Sequence, residues 1–340
     1  MSKGCNGVTV ESRAGRSNDL GHQMASPQGQ GADQPLLDRP WVNKLFILLA
    51  AALWGLSFTT MKGMVTQMPV FYLLALRNVI ATLGMLAWVR GRFLRALDGG
   101  TVALGVALGI SGFVAYATQT VGLTMTTPGK NAFLTGCYCV MVPFLSWAFG
   151  QGRPGVRHVL ASVVCVCGIG LVAADGGLPL NTGDVLSLAC GIFYALQYVI
   201  LAKWGQDKDP LVATAWQFLV MAVCAGACTL LFESGYTPPV PTPGDVVTIL
   251  FLGLVCSCLC FGLINRAMTR VDPAEGSILS ALEAPFGVLG SVLMYGERLT
   301  PRLFLGFLLI FVAIIISEAG EELLRRFQGA RVPRETGRRP

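Results

Sequence analysis

The chain has 340 residues, of which 53 % are hydrophobic and 13 % charged, with a formal net charge of +6, and its mean hydropathy is +0.61. Soluble chains are about a quarter charged and need polar groups to cover their surface, which excludes a water-soluble fold, general disorder, a collagen-like repeat and a small disulfide scaffold. The 25 Lys and Arg fall between hydrophobic blocks instead of clustering with aromatics as in a nucleic-acid reader, so no nucleic-acid partner is expected.

Residues 1–42 form a polar leader with balanced charge. It lacks an apolar core followed by a small-residue cleavage site, so no cleaved signal is expected, and it buries too little apolar surface to order itself. Hydrophobic stretches then recur at about 43–61, 71–89, 101–121, 130–150, 157–174, 182–202, 210–232, 245–265, 274–295 and 301–319. Each is long enough for the ~17–25 residues that cross a bilayer as helix. Their unbroken apolar character, without strand alternation, selects helix over barrel. Residues 320–340, with six Arg, form a basic tail.

With the N-terminus in the cytoplasm, twenty Lys and Arg lie on the inner side and four (Lys62, Lys130, Arg298, Arg302) outside, leaving Arg77 within a span. The positive-inside rule then places both termini in the cytoplasm. Sliding the chain by 145 residues sets Thr124 on Thr269, Pro128 on Pro273, Arg153 on Arg298 and Arg157 on Arg302. Sliding by 140 sets Trp54 on Tyr194, Ala75 on Ala215 and Arg77 on Gln217. Repeats of five spans each, over 43–174 and 182–319, must be inverted in the membrane, because five is odd. Inverted repeats around a midplane site mark secondary transporters. The expected fold is an all-α membrane protein of ten transmembrane helices, two inverted five-helix repeats around a central cavity.

Particular residues carry a family likeness. The first span contains Trp54-Gly55-Leu56-Ser57-Phe58 and reaches Lys62; Arg77 follows in the second. Thr127-Pro128-Gly129-Lys130-Asn131-Ala132 opens the fourth, and the ninth carries Glu283-Ala284-Pro285, then Gly296-Glu297-Arg298-Leu299-Thr300. Over residues 43–319 the chain resembles the EamA-type drug/metabolite transporters. The resemblance implies a ten-helix bacterial inner-membrane protein that exports amino acids or other small metabolites. One departure is visible: the first-half counterpart of Gly296-Glu297-Arg298 is Gln151-Gly152-Arg153, without the acid.

An ionisable group inside a bilayer is a functional candidate by default, because burying it costs at least ~2.5 kcal/mol. Arg77 and Glu283 qualify. Two readings stand for them. Arg77 could hold an anionic group through its guanidinium fork, with Glu283 as an amine-binding or proton-coupling acid; or the two could form a static pair stitching the repeats together. Uncharged candidates are Trp54, Ser57, Tyr116, Gln119, Asn131, Tyr138, Tyr194, Gln197, Trp216, Gln217 and Asn265. Trp54/Ser57, Tyr116/Gln119 and Tyr194/Gln197 each set an aromatic three residues before a hydrogen-bonding group on one helix face. As a set they fit a cavity for a small amphiphile; singly, each also fits interhelical packing.

Ten of the eleven cysteines lie in apolar runs and read as small packing residues. Pro128 and Pro273 precede spans near the first helical position, while Pro143 and Pro285 read as helix-interior bends. Gly168-Ile169-Gly170 lacks the strand context of a dinucleotide fingerprint, and Gly129-Lys130 lacks the rest of a phosphate loop. No cofactor or metal is expected. Intramembrane proteolysis lacks its histidines, since His22 and His158 lie outside the spans. The expected function is a secondary or facilitative exporter of a small metabolite, with the proton a possible coupling ion; a non-transporting sensor or scaffold is the alternative.

Overall fold

The computed structural model describes residues 39–329 except 96–97, 151–152, 174–180, 206, 268–270 and 272–278. Among these residues the secondary structure is helical and no strand occurs. In chain order the helices are α1 (Pro40–Met64), α2 (Val70–Val89), the short α3 (Gly91–Arg95), α4 (Gly99–Met125), α5 (Pro128–Gly136), α6 (Tyr138–Ala148), α7 (Val156–Ala173), α8 (Thr182–Trp204), α9 (Pro210–Phe232) and α10 (Pro243–Leu250). A π-helical stretch (Phe251–Leu259) follows, then α11 (Cys260–Ala267), α12 (Glu283–Tyr295) and α13 (Pro301–Gly329). By length and composition, 7 of these helical segments can cross a membrane. The other apolar helices, Val156–Val172, Leu279–Tyr295 and Pro301–Ser317, have 10–17 residues.

The first helix starts at Pro40, three residues before the expected boundary, with proline at its first position, where a missing N–H is harmless. Residues 1–38 of the expected leader and 330–340 of the tail lie outside the described residues. At the C-terminal end α13 continues to Gly329, into the segment read as tail. Local chemistry sets several other starts. Asp98 accepts from the amides of Gly100 and Thr101, both at 3.0 Å. Asn181 with Asp184, and Thr242 with Asp245, form capping boxes on α8 and α10, satisfying amides that a helix N-terminus leaves bare.

Packing follows a consistent scheme. Helix α4 lies against α8 and α9, α2 against α9 and the π-helical stretch, and α1 against α12, α11 and the π-helical stretch; α5 packs on α12 and α8, and α7 on α13. One core joins Leu73, Met85, Phe218, Met221 and Leu252; another joins Leu134, Leu303, Phe307, Ile310 and Ile314. Helices α4 and α8 touch through glycine. A Cβ at Gly122 would stand 2.8 Å from the Gly183 carbonyl oxygen, and one at Gly183 would stand 2.7 Å from that of Gly122.

Two apolar spans are broken mid-course. Between α5 and α6 the chain turns at Cys137 (φ −59°, ψ −12°), and before α12 it turns at Leu282 (φ −64°, ψ −12°). The two breaks lie 145 residues apart. Pro143 is inside α6 as expected. Pro285 instead falls in the first turn of α12, and the break lies upstream of it at Leu282. The first turn leaves its amides unbonded anyway, so Pro285 suits a helix start better than a bend within one.

Helix ends at one pole of the bundle are satisfied by charged side chains from distant sequence. The Glu297 carboxylate accepts from Thr127 Oγ1 at 2.5 Å, from the Gly129 amide at 3.2 Å and from the Ser291 hydroxyl. Glu233 accepts from the Phe71 and Tyr72 amides at 3.0 and 2.7 Å. Both place negative charge at a helix N-terminus, α5 and α2 respectively. Lys62 donates to the carbonyls of Leu123 and Thr126 at 2.6 and 2.9 Å, closing the C-terminus of α4. Thr126 in turn donates to Asp184 at 2.5 Å.

The opposite pole is joined by exposed ion pairs, Lys208–Asp98 at 2.7 Å and Arg92–Asp209 at 3.4 Å. The hydrogen bonds from Lys208 and Thr101 hold the Asp98 carboxyl well below the usual carboxylate range.

Removing the Glu297 carboxylate strands donors at the start of α5, a loss of about 1–3 kcal/mol for a buried unsatisfied group. Glu297→Ala should therefore lower the thermal unfolding temperature in detergent. Gly129→Ala, whose Cβ would lie 2.5 Å from Glu297 Oε2, should do the same. Combining the two should cost less than their sum, because they break one interaction; an additive loss would show that the Glu297 cap is not what Gly129 protects.

Candidate substrate cavity

A cavity of about 130 Å³ lies among α1, α2, α4, α8, α9, α11 and the two broken spans. A single water needs about 10–15 Å³ of such cavity space, so there is room for a small metabolite. Its walls include Trp54, Phe58, Tyr116, Tyr138, Tyr194, Tyr198 and Phe261, with the side chains of Gln119, Gln197 and Gln217 between them. Arg77 and Glu283 also line it.

Arg77 projects from α2 and is 5 % exposed. Its Nε donates to Ser257 Oγ at 2.9 Å and its Nη2 to the Tyr116 hydroxyl at 3.2 Å. Its guanidinium carbon also lies 4.5 Å from the Tyr116 ring centroid, a cation–π contact. The guanidinium has five N–H donors, and among the described residues three of them find no acceptor, open to a ligand. Glu283 stands at the first position of α12, immediately after the break at Leu282. Among the described residues no group hydrogen-bonds its carboxylate, and no Arg77 nitrogen lies within the 4.0 Å of an ion pair. The static pair is not formed.

The neutral wall is cross-braced. Tyr194 donates its hydroxyl proton to Gln119 Oε1 at 3.1 Å, Gln119 Nε2 donates to Thr135 Oγ1 at 3.3 Å, and Gln217 Nε2 donates to Gln197 Oε1 at 2.8 Å. Tyr138 stacks on Tyr198 with centroids 5.3 Å apart. Tyr194 meets Tyr116 and Tyr138 at 6.2 Å each. Trp54 donates its indole N–H to the Cys256 carbonyl at 2.7 Å, which fixes the ring as a wall.

Of the residues singled out from sequence, Trp54, Ser57, Arg77, Tyr116, Gln119, Tyr138, Tyr194, Gln197, Gln217 and Glu283 share this cavity. Asn131 does not line it: fully buried, it donates to the Gln119 carbonyl at 3.1 Å and to Ser187 Oγ at 2.7 Å, behind the wall. Trp216 stacks on Phe93 at 5.2 Å, away from the cavity. It precedes Gln217 by one residue, and one residue turns a helix by about 100°. The Asn265 side chain lies outside the described residues. Sequence reasoning passed over Phe58, Thr135, Tyr198, Phe261 and Ser257. Tyr198 had a readable signal, four residues after Tyr194 on the same face; Ser257 sits in an apolar run, with no local mark of its contact 180 residues away.

Residues 43–174 and residues 181–318 each match the EamA-like transporter family. The chain belongs to that family. An uncharacterized transporter of Archaeoglobus fulgidus is 28 % identical over 276 residues, covering 80 % of this chain and 84 % of its own length. A protein of Escherichia coli named as a probable amino-acid metabolite efflux pump is 22 % identical over 287 residues, covering 80 % of this chain and 93 % of its own. A crystal structure at 19 % identity superposes with a TM-score of 0.61 over 84 % of this chain and 98 % of that one, a likeness of fold. This EamA-like protein is therefore a multi-pass membrane transporter, which takes a small-molecule substrate and sits in a lipid bilayer.

The cavity predicts a labelling pattern. With the native cysteines replaced, Ser57→Cys, Gln119→Cys and Gln197→Cys should react with a small water-borne thiol reagent, read as a mass shift. Asn131→Cys and Trp216→Cys should stay unlabelled. The reverse pattern would move the aqueous site elsewhere.

Proposed function

We propose that the protein is a ten-helix exporter of small amphiphilic metabolites, built as two inverted repeats over residues 43–174 and 182–319, with both termini in the cytoplasm of a bacterial cell. An amino acid with an apolar side chain is the substrate class that fits best. The observation that carries this reading is the pairing, within one aromatic-walled cavity, of a guanidinium with three open donors and a carboxylate, neither bonded further by any described residue. A zwitterion complements both: its carboxylate meets Arg77 in charge-assisted bonds, its ammonium meets Glu283, and its side chain lies on the Trp and Tyr rings. The printed name of the Escherichia coli relative supports the same class.

The packing scheme supports the repeat. Exchanging the halves carries the contact of α4 with α8 onto that of α11 and the π-helical stretch with α1, and the contact of α4 with α9 onto that of the π-helical stretch with α2. The pairs α2 with α9 and α7 with α13 map onto themselves. Each half contributes one broken span at the same offset, and discontinuous helices at a midplane site are a recurrent feature of secondary transporters. Tyr138 follows one break and Glu283 the other, and both line the cavity. The surplus of Lys and Arg on one side supports the orientation. Glu283, with its carboxylate open to the cavity, is the group through which a proton gradient would act.

Flux through proteoliposomes with labelled amino acids, with and without an imposed pH gradient, tests the reading. The parent protein should move an apolar amino acid. Arg77→Ala should cut transport at least tenfold, about 1.4 kcal/mol of lost recognition. Glu283→Gln should remove the response to the pH gradient and weaken substrate binding, leaving counterflow exchange measurable only at raised substrate concentration. Parent-like transport by both variants would end the assignment of these residues.

A further inference from the structure

Ser257 is fully buried and does not line the cavity, yet it holds the Nε of Arg77 at 2.9 Å. Its own hydroxyl proton goes to the Leu252 carbonyl, five residues back, at 3.0 Å. With that proton committed, the oxygen faces Arg77 purely as an acceptor. Among the described residues the two protein bonds to Arg77 use Nε and Nη2, the side edge of the guanidinium. The end edge, formed by Nη1 and the second N–H of Nη2, remains for a ligand, and two parallel N–H donors match a carboxylate.

The π-helical stretch makes this possible. In an α-helix the Cys256 carbonyl would bond the amide of Cys260. Here the Cys260 amide points to the carbonyls of Ser257 and Val255, and the Cys256 carbonyl accepts from the Trp54 indole at 2.7 Å instead. The Cys256 thiol also reaches back to the Leu53 carbonyl at 3.6 Å. The residue beside Ser257 is thus tied to α1, while Ser257 itself faces α2. Local π geometry inside α-helices recurs at functional sites. At the related position 145 residues earlier stands Gly112, where an added Cβ would lie 3.2 Å from Gln217 Nε2; Gln217 is the residue aligned with Arg77. A hydroxyl stands on the side of the charge and a bare backbone on the side of the amide.

From these contacts we infer that Ser257 is a positioning residue for Arg77: by holding the side edge of the guanidinium, it aims the end edge at the substrate carboxylate. The inference rests on the carboxylate-binding role proposed for Arg77. It is tested with labelled phenylalanine and phenylalaninamide, which lacks the carboxylate, by flux in proteoliposomes and by equilibrium binding to the purified full-length protein. Ser257→Ala should raise the half-saturation concentration for phenylalanine about tenfold, leave the maximal rate within about twofold, and change handling of the amide by less than about twofold. Ser257→Thr, which keeps the hydroxyl, should stay close to the parent. In an Arg77→Ala background Ser257→Ala should add nothing further to the loss of binding, because it acts through Arg77.

An unchanged half-saturation, an equal loss for acid and amide, a fall in maximal rate alone, or additivity with Arg77→Ala would each overturn the inference. A Ser257→Thr variant as impaired as Ser257→Ala would overturn it too, by showing that packing rather than the hydroxyl matters. If the parent itself neither binds nor moves phenylalanine, the carboxylate-binding reading falls first and takes this inference with it, an outcome recognisable without any variant.

Discussion

In hydrocarbon a backbone amide or carbonyl without a partner costs several kcal/mol, since no water is present to replace it. A helix interior meets this requirement automatically, but each helix end leaves amides or carbonyls without an intrahelical partner. Charged and hydroxyl side chains recruited from distant sequence meet that demand. Glu297 and Glu233 terminate α5 and α2 at their N-termini, and Lys62 terminates α4 at its C-terminus. The signs follow the helix dipole in all three cases. These residues lie near the ends of spans, where sequence alone reads them as loop charges, yet they knit one pole of the bundle together.

The two poles differ in kind. At the pole of Glu297 and Lys62 the ties are short, several are part-buried, and they lead into helix termini. At the other, Lys208–Asp98 and Arg92–Asp209 are exposed side-chain pairs, a class worth about 0–1 kcal/mol each because water screens them. The pole with backbone-directed caps resists separation more, because parting it would strand helix ends as well as charges.

Much of this organisation was legible in the sequence, and the limits of that legibility are physical. Long apolar runs gave the bounds of the seven membrane-length helices to within a few residues, because the bilayer fixes how much apolar helix is needed. Three-residue spacing brought Trp54 with Ser57, Tyr116 with Gln119, and Tyr194 with Gln197 onto the cavity wall. The same spacing said nothing about Asn131 and Trp216, whose side chains turn to neighbours outside the cavity, since a single residue of rotation decides the face. Neither break is marked at its own position, because Cys137 and Leu282 are ordinary helix residues and Pro143 and Pro285 lie downstream. The π-helical stretch was hidden for a similar reason: Leu254-Val255-Cys256-Ser257-Cys258 is apolar enough to pass as a plain span, and only contacts to Trp54 and Arg77 distinguish it.

Shape and charge follow different symmetries in the cavity. Positions related by the internal offsets stand across from one another in chemistry: Trp54 and Tyr194 are both aromatic, but Arg77 is answered by Gln217, Glu283 by Tyr138, and Ser257 by Gly112. Both charges and the hydroxyl that serves one of them therefore belong to one member of each pair, and the other member carries only neutral amides, a phenol or no side chain. Two copies of a charged set would have faced like charges across a low-dielectric space, where repulsion is strong. Keeping one copy leaves a cavity with a polar end for a charged group and an aromatic, amide-braced remainder for the rest of the molecule. That division sets unlike side chains on similar backbone, as the matching dihedrals at Cys137 and Leu282 exemplify. Similar backbone at the offset positions supplies the breaks, and unlike side chains at a few of them give the cavity its direction.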